Sequence, residues 1–305
     1  MNNHSDLNSE LASVIDECRK YIKYGKVADY IPELAKADID KLGIYIISKD
    51  NEWFSGDYDA HFTIQSIIKP LILLLALKDA GVERVRSLVG VEATGKPFDT
   101  FNYTDLALKS EHINPMINAG AIALCTLIKG NTFQEKTKRL LEFTRKLAKN
   151  DLIEVDKAVY LSEKATGNKN RALAYMLNAY KMINEDVEEL LDCYFSACSI
   201  KVNCKDLANI AFALSHCEAN EIINEDDARF VNAILSTCGM YDGSGEFALN
   251  VGVPAKSGVG GGIMAVVPHR MGIGVYSPSL DEKGNSIAGK KILELVSKKM
   301  QLSIF

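Results

Sequence analysis

The chain has no apolar run long enough to cross a bilayer, no excess of positive charge and no paired-cysteine motif. Its most apolar stretch, residues 71–77 (LILLLAL), is far shorter than the roughly 20 residues a membrane-spanning helix needs, and it reads as a buried helix. The N-terminal residues MNNHSDLNSELASVIDECRKYIKYG mix acidic and basic side chains and lack the apolar core of a signal peptide, so a cytoplasmic location is expected. A formal charge of -5 gives no basic footprint for nucleic acid or for an anionic membrane. The expected partner is therefore a small molecule or another copy of the chain. Seven cysteines, at positions 18, 125, 193, 198, 204, 217 and 238, show neither C-x-x-C spacing nor a paired-histidine motif, which fits reduced thiols better than disulfides or a zinc site. The histidines at 4, 61, 112, 216 and 269 are scattered, and no metal or organic cofactor is expected.

What is present is a globular chain of 305 residues, 47% hydrophobic and 25% charged, long enough for one large domain or two smaller ones. Leu7, Leu11, Val14, Cys18 and Ile22 recur at helical spacing, predicting an opening helix. Residues 43–48 (GIYIIS) and 52–55, separated by Lys49-Asp50-Asn51, predict a hairpin. From Ser66 to about Thr237 the pattern is helical, with buried runs at 71–77 and 117–128 and amphipathic segments near 134–149, 170–183, 186–198, 205–217 and 226–237. Strands return at 254–257, 262–268 and 272–276, before a last helix at 288–300. A lone hairpin is too small to be stable, so the early and late strands are expected to share one antiparallel sheet. The predicted class is α/β (α+β): a sheet unit from 1–65 plus 238–305, an all-helical insertion from 66–237, and an active site between them.

Residues 64–70 (IQSIIKP) contain the only S-x-x-K of the chain. Positions i and i+3 share a helix face, so Lys69 can reach the Ser66 hydroxyl, and Pro70 is tolerated only in an opening turn. Ser66 is thus expected at a helix N-terminus, where free N–H groups favour developing negative charge. To accept a proton Lys69 must be neutral, and apolar neighbours such as Ile67, Ile68 and Leu73 are of the kind that depress a lysine pKa. Taken alone, the pair reads more readily as an N-cap serine and a solvated lysine. A second signal is residues 255–262 (AKSGVGGG), a lysine-serine-glycine on a strand before a glycine cluster. There Lys256 could bind a carboxylate, and the glycines allow close approach to a ligand or simply turn the sheet. S-x-x-K followed by a late K-[ST]-G is the arrangement of serine β-lactamases and penicillin-binding proteins.

Further segments resemble the glutaminase family, serine-dependent glutamine amidohydrolases with a β-lactamase/transpeptidase-like fold: residues 25–34 (GKVADYIPEL), 114–122 (NPMINAGAI), 168–171 (NKNR), 194–199 (YFSACS) and 238–245 (CGMYDGSG). The resemblance implies Ser66 as nucleophile, Lys69 as its base, and Tyr30, Asn118, Glu163, Asn170, Tyr194, Tyr241 and Val259 around L-glutamine. Tyr194 or Tyr241 would relay the proton to the leaving ammonia. It also implies a homodimer or homotetramer. The chemistry is compatible: an amino acid's ammonium seeks a carboxylate such as Glu163, and its carboxylate seeks amide and hydroxyl donors. Without the resemblance, Glu163 reads as a helix-surface carboxylate, Asn118 and Asn170 as caps, and the tyrosines as core aromatics. Two rival functions remain. A β-lactamase or penicillin-binding-type peptidase would call for export and an S-D-N triplet, neither of which is evident. A non-catalytic amino-acid-binding sensor would not need an intact Ser66, Lys69 and Tyr241.

Overall fold

Strands buried on both faces read as unbroken apolar runs, and that is how GIYIIS behaves. In the computed structural model, which describes residues 4–94, 113–216 and 221–305, β1 (Gly43–Ser48) and β2 (Glu52–Gly56) form a hairpin. His112 and Cys217 lie outside the described residues. Two short strands, β3 (Phe62–Thr63) and β4 (Lys201–Val202), pair with each other, so the stretch read as wholly helical contributes one strand. β5 (Ala255–Ser257), β6 (Gly262–Val267) and β7 (Met271–Tyr276) complete the main sheet in the order β2-β1-β7-β6-β5, antiparallel throughout. Its centre joins the two ends of the chain, with Gly43 opposite Tyr276 and Ser48 opposite Met271.

The helices are α1 (His4–Arg19), α2 (Lys69–Leu88), α3 (Asn118–Cys125), α4 (Phe133–Ala148), α5 (Lys157–Thr166), α6 (Asn168–Ala179), α7 (Val187–Cys198), α8 (Cys204–Ser215), α9 (Glu225–Cys238), α10 (Ser244–Asn250) and α11 (Ile287–Met300). Local chemistry sets several of their starts. Asn203 and Asp206 form a reciprocal capping box for α8, and Asp156 accepts from the N–H groups of Ala158 and Val159 to start α5. The first turn of α2 carries Pro70, and the LILLLAL run behind it is apolar all round because it is buried.

Alternation sorts the sheet residues between two cores. Ile44, Ile46, Ile263, Ala265, Ile273 and Val275 pack with Leu11 and Ile15 of α1 and with Ile292 and Val296 of α11. Tyr45, Ile47, Met264, Val266 and Tyr276 face the other helices. Although α8 falls within the range read as an insertion, it lies directly on β1, β6 and β7. Glycine makes that contact possible. A Cβ on Gly274 would stand 2.1 Å from the Cys204 carbonyl oxygen, and one on Gly272 would stand 2.2 Å from that of Ala208. Gly274→Ala is accordingly expected to destabilise the protein by about 3 kcal/mol or more, because backbone must move on both sides. Denaturant unfolding would measure this, and a loss below about 1 kcal/mol would show that the helix shifts freely.

Candidate active site

Ser66 is presented by a strained turn. After β3 the chain enters a 3-10 turn, Gln65–Ile68, that runs without a break into α2. Gln65 holds φ at 49°, a left-handed value uncommon for a residue with a side chain and characteristic of functional turns. Ser66 therefore precedes the α-helix in a tighter turn, where the sequence reading had placed it at the helix start. The glycine cluster 258–262 fixes this turn. A Cβ on Gly258 would lie 2.7 Å from the Ile64 carbonyl oxygen, and one on Gly260 would lie 2.4 Å from that of Thr63. These glycines thus admit the protein's own Ser66-bearing backbone, a different purpose from ligand approach.

One helical turn on, the Lys69 Nζ lies 2.5 Å from the Ser66 Oγ. Lys69 is 0% exposed, and burial holds its pKa down to about 8, with Cys198 and Glu163 acting in the opposite direction. Glu163, on α5, is buried too. Desolvation pushes its carboxyl up to about 8 against the pull of Lys69 and a hydrogen bond from Gln65. The Glu163 Oε2 has no hydrogen-bond partner among the described residues, an exposed debt for a buried carboxylate.

These groups meet at a cavity of about 660 Å³, lined among others by Tyr30, Ser66, Asn118, Glu163, Asn170, Tyr194 and Val259. Asn118, in the first turn of α3, donates from Nδ2 to the Asn170 Oδ1 at 2.9 Å and accepts from the Tyr194 hydroxyl at 3.3 Å. Burial raises the Tyr194 phenol well above its usual range. Tyr30, 55% exposed, stands at the mouth. Tyr241 lies outside this lining, yet its hydroxyl donates to the Ser257 carbonyl at 3.3 Å, and desolvation raises its phenol against the nearby Ser66 hydroxyl, which acts to lower it.

Lys256 departs from expectation. Its ammonium does not line the cavity; the Nζ donates inward to the carbonyls of Gly239 at 2.9 Å and Ser257 at 2.7 Å. The strand turns this side chain under the sheet edge, so it is not placed to bind a substrate carboxylate.

Sequence reasoning passed over Gln65 and Cys198, both on the cavity wall. Cys198 follows Tyr194 by four residues on α7, the spacing of one helix face. Another part of the wall is built by residues 24–31, 280–282 and 284, tied together where Lys26 and Leu280 exchange backbone hydrogen bonds. Among the described residues no cluster of three or more His, Cys, Asp or Glu could hold a metal ion, and no helix is long and apolar enough to cross a membrane.

A model of the glutaminase family matches residues 25–305. The chain is 53% identical to a glutaminase of Clostridium tetani over 98% of its own length and 100% of the relative's, and 50% identical to a glutaminase of Clostridioides difficile over 97% of each. Among solved structures it is similar to a probable glutaminase from Bacillus subtilis complexed with 6-diazo-5-oxo-L-norleucine, with a TM-score of 0.90 and 34% identity, covering 100% of this chain and 98% of that one. A covalent complex of a Bacillus subtilis glutaminase with 5-oxo-L-norleucine superimposes with a TM-score of 0.88 at 34% identity, covering 97% and 99% of the two chains.

Proposed function

Because the chain belongs to the glutaminase family and hydrolyses the γ-amide of L-glutamine to L-glutamate and ammonia, we propose that Ser66 and Lys69 carry the reaction as nucleophile and base. The observation behind this is the 2.5 Å contact between the Lys69 Nζ and the Ser66 Oγ at a buried position that brings the lysine pKa down to about 8. Neutral Lys69 takes the hydroxyl proton as Ser66 attacks the γ-carbonyl carbon. The backbone N–H groups of Ser66 and Val259 stabilise the oxyanion. Tyr241, beside Ser66, passes the proton taken up by Lys69 to the departing nitrogen. Ammonia leaves, and water cleaves the γ-glutamyl ester on Ser66. A Bacillus subtilis relative forms a covalent complex with 5-oxo-L-norleucine on reaction with 6-diazo-5-oxo-L-norleucine, which supports covalent catalysis by a protein nucleophile.

Substrate recognition is assigned on charge. The partnerless Glu163 Oε2 receives the α-ammonium, and Asn118, Asn170, Tyr30 and the wall at Val259 hold the rest, in a cleft between the sheet unit and the helical unit. Glu163→Gln is expected to raise KM for glutamine roughly 10- to 100-fold, the worth of one charge-assisted hydrogen bond, with a smaller change in kcat. A coupled glutamate assay reads both constants, and an unchanged KM would remove Glu163 from the ammonium site. A cytoplasmic homodimer or homotetramer is proposed on family grounds. The free, buried cysteines 18, 125, 193, 198, 204 and 238 suit a reducing compartment.

A further inference from the structure

Lys256 is a fully buried lysine that the reaction above does not use. It is 0% exposed, and none of the ion pairs among the described residues includes it. A core position of this kind ordinarily favours an apolar side chain, since burying an amine without a carboxylate costs free energy. Its two hydrogen bonds and its ring contact converge on Tyr241. The Nζ sits 4.1 Å from the centroid of the Tyr241 ring. One of its hydrogen bonds goes to the Gly239 carbonyl, two residues before Tyr241. The other goes to the Ser257 carbonyl, the oxygen to which the Tyr241 hydroxyl also donates. Tyr241 itself needs such support, because its φ of 54° is left-handed. The turn that carries it is pressed onto β5 so closely that a Cβ on Gly239 would stand 1.8 Å from the Ala255 carbonyl oxygen.

We propose that Lys256 is a positioning residue for the known reaction: it ties the backbone before Tyr241, the face of its ring and its hydroxyl acceptor into one unit, and so keeps that hydroxyl beside Ser66. The inference rests on the reading of Tyr241 given above. Burial, and then the nearby Lys69, push the Lys256 pKa well down. A neutral amine still has two N–H donors, enough for both carbonyls, so the arrangement does not depend on its charge.

The test compares Lys256→Met and Tyr241→Phe, singly and together, by glutamine kinetics and thermal melting. Lys256→Met is expected to lower kcat about 30- to 100-fold with KM within about twofold, and to cost less than about twofold more when Tyr241→Phe is already present. Near-normal kcat, a rise confined to KM, or losses that multiply in the double variant would each overturn the inference. Should Lys256→Met lack a cooperative melt, Lys256→Gln, which keeps an amide donor on a shorter stem, is expected to lower kcat less than about 30-fold but more than about threefold, with KM within about twofold and less than about twofold further loss when Tyr241→Phe is already present. If Tyr241→Phe alone retains kcat, the reading of Tyr241 fails. If Tyr241→Phe is impaired while the Lys256 variants are not, only the role of Lys256 fails.

Discussion

Replacing Ser66 by alanine is expected to lower glutamine hydrolysis on the order of 10⁴- to 10⁶-fold, as removal of the nucleophile does in other serine acyl-transfer enzymes. The expectation follows from the distribution of roles. With Oγ gone, Lys69 has no hydroxyl to deprotonate, and the remaining hydrogen-bonding groups can bind substrate without forming an ester. Binding should therefore survive: Glu163, Asn118 and Asn170 are untouched, and the turn at Gln65–Ile68 is held by backbone contacts from Gly258 and Gly260 that do not involve the Ser66 side chain. Glutamate binding followed by calorimetry, alongside ammonia release, separates the two. A Ser66→Ala protein that keeps more than about 1% of the normal rate would rule out the ester intermediate.

Lys69→Met should eliminate activity and at the same time make the protein more stable. An ordinary lysine titrates near 10.4, whereas Lys69 is held to about 8, and a difference of that size corresponds to about 3 kcal/mol. The unfolded chain binds this proton more tightly than the folded one. The cost is therefore fully present below pH 8 and disappears as pH rises towards the unfolded value. Methionine has similar length and no charge to desolvate, so at pH 7 the variant should gain stability. At pH 7 Glu163, held at about 8, is mostly protonated, so losing the nearby cation takes back little of the gain. The net expectation is a melting temperature higher by about 3 to 6 °C. The same depressed pKa predicts that kcat/KM of the native enzyme climbs at least about tenfold per unit as pH rises towards 8, where Lys69 becomes a base and Glu163 ionises. A Lys69→Met protein that melts below the native one, or a flat pH profile between 6 and 8, would contradict a neutral lysine in this site.

Much of this architecture was legible because strong periodicity and punctuation coincide. The GIYIIS strand, the turn after it, the late glycine-bounded strands and the apolar helix behind Ser66 each carry a local signal that burial reinforces. The spacing of Ser66 and Lys69 likewise survives translation into space. Other features depend on contacts no local window contains. Helix α5, which delivers Glu163, buries only Val159 and Glu163 along its length, so its apolar stripe is too thin to read. The left-handed Gln65 and Tyr241 have side chains that do not advertise that conformation, unlike glycine. The motif at Lys256 gives the residue and its strand but not the face. A two-residue period leaves that to the sheet's neighbours, and here they turn the amine towards Tyr241. The docking of α8 on the sheet is visible only once Gly272 and Gly274 are seen to be opposite it.

The pairing of Gly43 with Tyr276 also has a consequence for biosynthesis. At about 5–20 residues per second, β1 waits on the order of tens of seconds on a translating ribosome before its central partner β7 is made. During that interval the apolar β1 segment has no stable partner, because a lone β1–β2 hairpin is marginal, and it exposes the kind of surface that recruits other chains. The intervening helices can collapse meanwhile, but the cleft cannot close over Ser66 until residues 255–262 arrive. Catalytic competence is thus among the last properties the growing chain acquires.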